Sequence, residues 1–115
     1  TPALADFGSA QGELAETVER YLRQHLHENP PLVSVAYAMH LSERTLRRRL
    51  AADGISFSML HDRIRTARAL ELLRHQGLTI SQVGTQIGCA DAREFRRAFK
   101  RWTGRTPSEA RDQMA

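Results

Sequence analysis

The chain has 115 residues, a net charge of +4 and a hydrophobic content of 41%, which is ordinary for a globular protein. This length suits one small domain, or two very small ones that share a core. No apolar run approaches the roughly 20 residues that span a bilayer. No signal peptide is recognisable, and a single cysteine forms no internal disulfide. We therefore expect a cytoplasmic protein without membrane contact.

Basic residues are concentrated in the later part of the chain. Residues 1–30 contain two basic and five acidic residues, a net charge of −3, whereas residues 31–115 contain fifteen basic and eight acidic residues, a net charge of +7. All but one of the 17 basic residues are arginine. Guanidinium groups match guanine edges and phosphates in two-point geometry, but a GC-rich genome produces the same bias. Composition alone is therefore weak evidence for a nucleic-acid partner.

The first 30 residues predict a loop and then a helix. Residues 1–12 contain Pro, two Gly and Ser without a clear period, and we interpret them as a linker remnant. Residues 13–28 predict a helix that ends at the two prolines after residue 29. Its acidic surface favours a packing role over DNA contact. Four-residue steps define its apolar stripe, which consists of Leu14, Val18, Leu22 and Leu26.

A helix-turn-helix pattern and a long helix follow. In residues 31–54, an apolar first helix precedes a second helix that Ser42 can cap. Residues 57–76 predict a linker helix that Ser56 caps. About 19 helical residues span roughly 28 Å, which suits a rod holding two reading heads about one DNA turn, roughly 34 Å, apart. The predicted apolar stripe of this rod is Phe57, Leu60, Ile64, Ala67, Leu70 and Leu73. We expect its arginines, Arg63, Arg65 and Arg68, to form a solvated face; contact with DNA phosphates is the alternative.

Residues 79–107 predict a second helix-turn-helix pattern. Thr79 and Gln82 suit a capping box at its first helix, and Asp91 and Glu94 suit one at its second helix. Gly88 between them tolerates a left-handed conformation. We expect the ring side chains of the second helix to be buried on one face; they are Phe95, Phe99 and Trp102. A last short helix is predicted from Ser108 to about Met114.

The two patterns are copies of one another, 48 residues apart before the turn and 49 after it. Three arginines of each second helix lie two, five and six residues after the cap, and therefore share one outward face. We predict that these side chains read bases: Arg44, Arg47 and Arg48 in one major-groove segment, and Arg93, Arg96 and Arg97 in the next. Predicted phosphate contacts are Ser42, Thr45, Thr79 and Lys100.

The second pattern resembles the signature of the AraC/XylS family of bacterial transcription regulators. The matching residues are Gly88, Phe95, Arg97, Phe99, Lys100, Gly104, Pro107 and Arg111, whereas Cys89 and Ala110 stand where the family has large rings. The resemblance implies sequence-specific binding of double-stranded DNA, with one arginine position of each helix holding phosphate instead of a base. It also implies contact with RNA polymerase and a larger N-terminal effector-binding and dimerisation domain that is absent from these residues.

Together these features predict an all-α fold of about seven helices. Two homeodomain-like helix-turn-helix subdomains, residues 13–56 and 77–115, are joined by the linker helix. The alternative is a helical protein-interaction module whose basic faces meet an acidic partner. An enzyme is not expected, because no Gly-rich phosphate loop and no nucleophile–base set is present. No cofactor is expected, and no histidine or cysteine set has metal-ligand spacing. Activation and repression of genes both stay open.

Overall fold

The computed structural model describes the backbone of residues 2–114 and the side chains of residues 12–114. This part of the chain contains seven α-helices, one 3-10 helix and no strand, which confirms the prediction of an all-α fold. None of the helices described is both long and apolar enough to cross a membrane. The α-helices are α1 (Pro2–Gln24), α2 (Leu32–Ala38), α3 (Glu43–Ala52), α4 (Phe57–Leu73), α5 (Ile80–Gln86), α6 (Ala92–Thr103) and α7 (Pro107–Met114).

Helix α1 begins before the position that the sequence predicts. Its backbone is helical from Pro2, so the loop predicted over residues 1–12 is wrong for residues 2–12. Proline is well tolerated in the first turn of a helix, and glycine inside a helix costs only about 1 kcal/mol relative to alanine. Neither residue type therefore forces a loop. The side chains of residues 1–11 lie outside the described part of the chain. The interpretation of this segment as a linker remnant therefore stays a prediction.

The predicted first helix also ends early. Helix α1 stops at Gln24, and the 3-10 helix Leu26–Glu28 follows it. Asn29 then has a φ of +50°, a left-handed conformation that asparagine tolerates better than most residues. Val18 and Leu22 of the predicted stripe are fully buried.

The chain forms two compact units by its internal contacts. The first contains Thr1–His25 and Pro30–His61, and the second contains Leu26–Asn29 and Asp62–Ala115. The buried apolar side chains of the first unit are Val18, Leu22, Leu32, Val35, Ala36, Leu46, Leu50 and Leu60. Those of the second unit are Leu26, Ile64, Ala69, Leu72, Leu73, Val83, Ile87, Cys89, Phe95, Ala98, Phe99 and Ala110.

Helix α4 departs from its predicted length and stripe. It ends at Leu73, before the predicted end at residue 76. Ala67 is exposed although the sequence places it in the apolar stripe, and Ala69 and Leu72 are buried instead. The boundary between the two units falls within α4. Its early and late turns therefore pack in different cores, and one continuous stripe does not describe both.

Candidate nucleic-acid interface

The turns of the two helix-turn-helix motifs are built from the same backbone hydrogen bonds. In the first unit, the amide of Leu41 donates to the carbonyl of Ala36. In the second unit, the amide of Cys89 donates to the carbonyl of Gly84, and both N–O distances are 2.9 Å. The two donor residues are 48 positions apart in the sequence, and so are the two acceptor residues, as the sequence repeat predicts. Each motif is therefore the same local structure, formed twice.

Both turns contain a residue with a left-handed backbone. Gly88 follows α5 with a φ of +91°, as its predicted role at the helix end requires. His40 occupies the equivalent place after α2 with a φ of +59°. A non-glycine residue pays a steric cost in this region. The first turn accommodates a side chain at this position in spite of that cost, whereas the glycine of the second turn avoids the cost.

The N-terminus of each second helix is capped. The Ser42 hydroxyl accepts from the amide of Thr45 at 3.1 Å, and the Asp91 carboxylate accepts from the amide of Glu94 at 2.8 Å. The Glu94 carboxylate accepts from the amide of Ala90, not from that of Asp91. The reciprocal capping box predicted for this pair is therefore wrong in that detail. The Asp91 carboxylate still satisfies an amide that the helix leaves without a partner, and the Glu94 carboxylate binds the amide of the residue before the cap.

Each motif holds its two helices together at one close approach, made with different residues. A Cβ atom at Gly84 would lie 2.8 Å from Cβ of Phe95, so α5 and α6 pack too closely for any side chain there. In the first motif Ala36 occupies the equivalent position, and Leu46 replaces the phenylalanine ring; both are buried. The second motif pairs the smaller residue, glycine, with the larger one, phenylalanine, whereas the first motif pairs alanine with leucine. The summed side-chain volume between the two helices is therefore similar in both motifs.

The apolar faces of the second helices are buried almost completely. Leu46 and Leu50 on α3, and Phe95 and Phe99 on α6, have exposed fractions of 0%. The two rings of α6 meet edge to face with centroids 5.6 Å apart. Trp102 is only half-buried, so the prediction that it is a core residue is wrong. Burial of the other four side chains fixes the rotation of each helix about its axis and thereby the direction of the opposite face.

That opposite face carries the predicted base-reading residues. All six are exposed: Arg44, Arg47, Arg48, Arg93, Arg96 and Arg97. Within the described part of the chain, none of the six takes part in a hydrogen bond or an ion pair. Among the other arginines of residues 12–114, three are paired with carboxylates: Arg23 with Glu19, Arg65 with Asp62 and Arg68 with Glu71. The structure thus leaves the donors of the six outward arginines available to a ligand.

The arginines of α4 do not form a uniform solvated face. Arg63 is exposed and Arg68 is half-exposed, but the side chain of Arg65 is only 13% exposed. Its guanidinium binds Asp62 at 2.7 Å and lies 4.8 Å from the ring centroid of Trp102. A cation over an indole face is attracted by the ring quadrupole. The prediction of a solvated side chain is therefore wrong for Arg65, because the second unit binds it on two sides.

The predicted phosphate contacts lie on or beside the motif helices. Ser42 donates its hydroxyl proton to the hydroxyl of Thr45. Thr79 and Gln82 form the predicted capping box, with bonds of 2.8 and 3.0 Å. The hydroxyl protons of Thr45 and Thr79 have no acceptor among the residues described. Lys100 is exposed on α6. Three of these four residues thus have a free donor.

Arg111 has a role that sequence reasoning does not find. Its Nε donates to the carbonyl of Leu73 at 2.9 Å, and its Nη2 donates to the carbonyl of His75 at 3.2 Å. The Leu73 carbonyl lies at the end of α4, where helix carbonyls lack partners within the helix. The His75 carbonyl lies two residues beyond the helix. Arg111 therefore caps α4 from α7, more than 35 residues away in the sequence. Only its match to the family signature indicates its importance.

Two small residues lie where the resembling family has rings. Cys89 is 5% exposed and Ala110 is 1% exposed, so both positions belong to the core. Burial, followed by the nearby Glu94 carboxylate, raises the pKa of the Cys89 thiol. No cluster of three or more His, Cys, Asp or Glu side chains in the described residues is arranged to hold a metal ion.

The amino-acid sequence is similar to those of known transcription regulators. A family model described as a helix-turn-helix domain matches residues 35–113. The HTH-type transcriptional regulator VqsM of Pseudomonas aeruginosa is 34% identical over 101 residues, which cover 88% of this chain and 31% of VqsM. The chain thus spans about a third of the length of this relative.

Solved structures share the fold. The transcriptional regulator CdpR of Pseudomonas aeruginosa is 41% identical with a TM-score of 0.69; the match covers 72% of this chain and 26% of CdpR. The DNA-binding domain of the global transcriptional factor AdpA, solved in complex with a target DNA, has a TM-score of 0.76 over 86% of this chain and 90% of that one. At 24% identity, this second likeness concerns the fold.

Proposed function

The chain belongs to the AraC-type family of helix-turn-helix domains found in DNA-binding transcription regulators, and we propose that α3 and α6 are its two recognition helices. In this proposal they read adjacent major-groove segments of one operator. The family and the fold are those of regulators and not of enzymes.

The repeated arginine triplet is the observation that carries this proposal. Each triplet lies on the exposed face of a capped helix whose opposite face is buried. A single basic face is common on solvated helices, but two equivalent faces within two equivalent motifs are not expected from solvation alone. An acidic protein partner would not require two matched faces. Two recognition helices on one duplex do require them.

Unpaired arginines suit DNA binding energetically. A guanidinium already bonded to a carboxylate must lose that partner before it contacts a base or a phosphate. The six outward arginines have no such partner in the described structure, so this cost does not arise. Their positive charge also attracts the duplex over a distance of about 8–10 Å at moderate salt.

Base and phosphate contacts are divided by position in the proposal. The first two turns of α3 and α6, which carry the six arginines, approach base edges, as the N-terminal residues of recognition helices do. Thr45 and Thr79, each with a free hydroxyl proton, donate to phosphates, as does Lys100 in the third turn of α6. Ser42 acts mainly by holding the N-terminus of α3, whose amides attract a phosphate. One arginine of each triplet also holds the backbone.

The central test compares two variants and a matched control. Arg47→Ala and Arg96→Ala should each relax specificity, in different halves of the selected site, because a base-reading arginine contributes roughly 1–3 kcal/mol of discrimination. Arg23→Ala removes the same charge from α1, where the side chain is 64% exposed. Selection from random duplex DNA, followed by sequencing of bound sites, gives a base profile for each protein.

The profiles distinguish two recognition helices from one. We expect the two variants to lose preference at base pairs about one helical turn apart, and Arg23→Ala to keep the original profile. If both variants lose preference at the same base pairs, the chain reads one segment and its other motif is structural.

A spacing test is independent of mutagenesis. Inserting about 5 bp between the two halves moves them to opposite faces of the duplex, since one turn is about 10 bp. Gel shifts should then show loss of bipartite binding. Unchanged affinity for the spaced site would contradict the two-segment proposal.

Salt dependence separates DNA from an acidic protein partner. Each phosphate neutralised by a cation lowers the slope of log K against log salt by about 0.9 for duplex DNA. Lys100→Ala should therefore reduce the magnitude of the slope by about one and weaken all sequences alike. A slope near zero for duplex binding would favour the protein-interaction alternative.

A further inference from the structure

The side chains available on the two recognition helices restrict which bases they can read. Bidentate recognition of adenine requires the amide of asparagine or glutamine, whereas bidentate recognition of guanine requires arginine or lysine. Neither α3 nor α6 contains an asparagine or a glutamine. The exposed outward face of each helix contains arginine at the same three positions, six arginines in all. The inventory therefore favours guanine over adenine in both motifs.

The remaining polar side chains do not change this preference. The hydroxyl of Thr45 contacts Ser42, and the carboxylate of Glu94 accepts from a backbone amide. Glu43 is exposed at the first turn of α3. A carboxylate accepts from the amino group of cytosine, and cytosine is the partner of guanine. Glu43 therefore favours a G·C base pair, as the arginines do.

Contacts of alanine with thymine are also disfavoured at the N-terminal end of α3. Thymine is read through its methyl group by small apolar side chains. The exposed alanines of α3 are Ala51 and Ala52, which lie in its last turn. Recognition helices contact base edges with their N-terminal residues, and the arginines occupy that end.

The spacing of the arginines sets the length of DNA that each triplet covers. The first and last arginines of a triplet are four residues apart, which is about 6 Å along the helix axis. Base pairs are stacked about 3.4 Å apart. One triplet thus spans about two base-pair steps. Three guanidinium groups over this length can satisfy guanines on adjacent pairs, with one group left for a phosphate.

We infer that each of the two operator segments carries guanines on adjacent base pairs, read at their N7 and O6 atoms by α3 and by α6. This inference rests on the proposed function and adds the identity of the bases. It predicts guanine in both segments of the operator, because the two arginine triplets are equivalent.

Base analogues test the inference at single atoms. The 115-residue chain is first used to select sites from random duplex DNA, and each guanine of a selected site is then replaced in turn. A 7-deazaguanine lacks the N7 acceptor in the major groove, whereas inosine lacks only the minor-groove amino group. Fluorescence anisotropy measures the affinity for each duplex. A guanine outside the selected site, replaced in the same way, controls for general effects on the duplex.

We expect 7-deazaguanine to weaken binding by about five- to hundredfold at one or two adjacent pairs in each half. Inosine at the same positions and 7-deazaguanine outside the site should have little effect. Arg47→Gln should move the preferred base from guanine to adenine in one half only, because an amide matches adenine. Arg96→Gln should do the same in the other half.

The outcomes separate this inference from the proposed function. Selected sites without guanines, or equal effects of 7-deazaguanine and inosine, would overturn the inference while specific binding upholds the proposed function. Guanines in only one half would overturn the claim for the other motif. Binding without any sequence preference would overturn the proposed function and the inference together.

Discussion

Gly88→Ala should destabilise the second unit severely, because the site excludes a side chain for two independent reasons. The φ of Gly88 is +91°, which L-residues rarely adopt. A Cβ atom there would also lie 2.5 Å from the carbonyl oxygen of Leu26 and 2.9 Å from Cβ of Asn29. Backbone strain of this kind costs about 1–3 kcal/mol, and overpacking costs about 1–3 kcal/mol. The free energy of unfolding should therefore fall by about 2–6 kcal/mol.

The neighbouring atoms cannot easily move away from the new methyl group. The carbonyl of Leu26 belongs to the 3-10 helix Leu26–Glu28 and accepts from the amide of Asn29 at 3.0 Å. The side chain of Leu26 is 4% exposed and packs in the same unit. Any shift would disturb that hydrogen bond or that packing, which keeps the cost near the upper part of the range.

Urea unfolding followed by far-UV circular dichroism measures the loss. His40→Gly is the matched control, since His40 occupies the equivalent position of the first turn with a φ of +59°. Glycine there removes a left-handed strain of about 1–2 kcal/mol and adds about 0.4–1 kcal/mol of unfolded-state entropy. The two terms oppose each other, so this control should lie between no change and about 1.6 kcal/mol of added stability. If Gly88→Ala changes stability by less than about 1 kcal/mol, the close approach is misdescribed.

Three further predictions concern the second unit. Phe99→Ala should cost about 3–5 kcal/mol of unfolding free energy, because the ring is fully buried; a stable, DNA-competent variant would show that the apolar face of α6 is wrongly assigned. Cys89 should react slowly with a thiol reagent near neutral pH and fully in denaturant, since burial raises its pKa and blocks access; rapid labelling of the folded chain would contradict this. Hydrogen bonding by the side chain and then by the backbone amide of Thr106 lowers the pKa of Glu109, so its stabilisation is complete above the ordinary value of 4.5 and is lost as the pH falls through the lowered pKa. Glu109→Gln should remove this part of the pH dependence in urea unfolding between about pH 6 and pH 2; an unchanged profile would mean that the cap contributes nothing.

Local sequence determined the parts of the interface that depend on residues close together in the chain. The cap of α3 by Ser42 and the capping box of Thr79 and Gln82 join residues three positions apart. Helical periodicity identified the buried faces, and the outward direction of the arginines follows from that burial. The repeat of 48 residues predicted two equivalent turns, and their hydrogen bonds are equivalent. Apart from the repeat, each of these features needs only one or two helical turns of sequence.

Tertiary packing decided the features that join distant residues. Helix α4 ends at Leu73, whose carbonyl accepts from Arg111, and no local stop signal marks that position. Arg65 leaves the solvent because Trp102 lies beside it, and Trp102 is covered only in part. The stripe of α4 changes direction because its turns pack in two cores. Periodicity shows which side of a helix is apolar, but which neighbour covers that side, and over how many turns, depends on contacts between residues far apart in the chain.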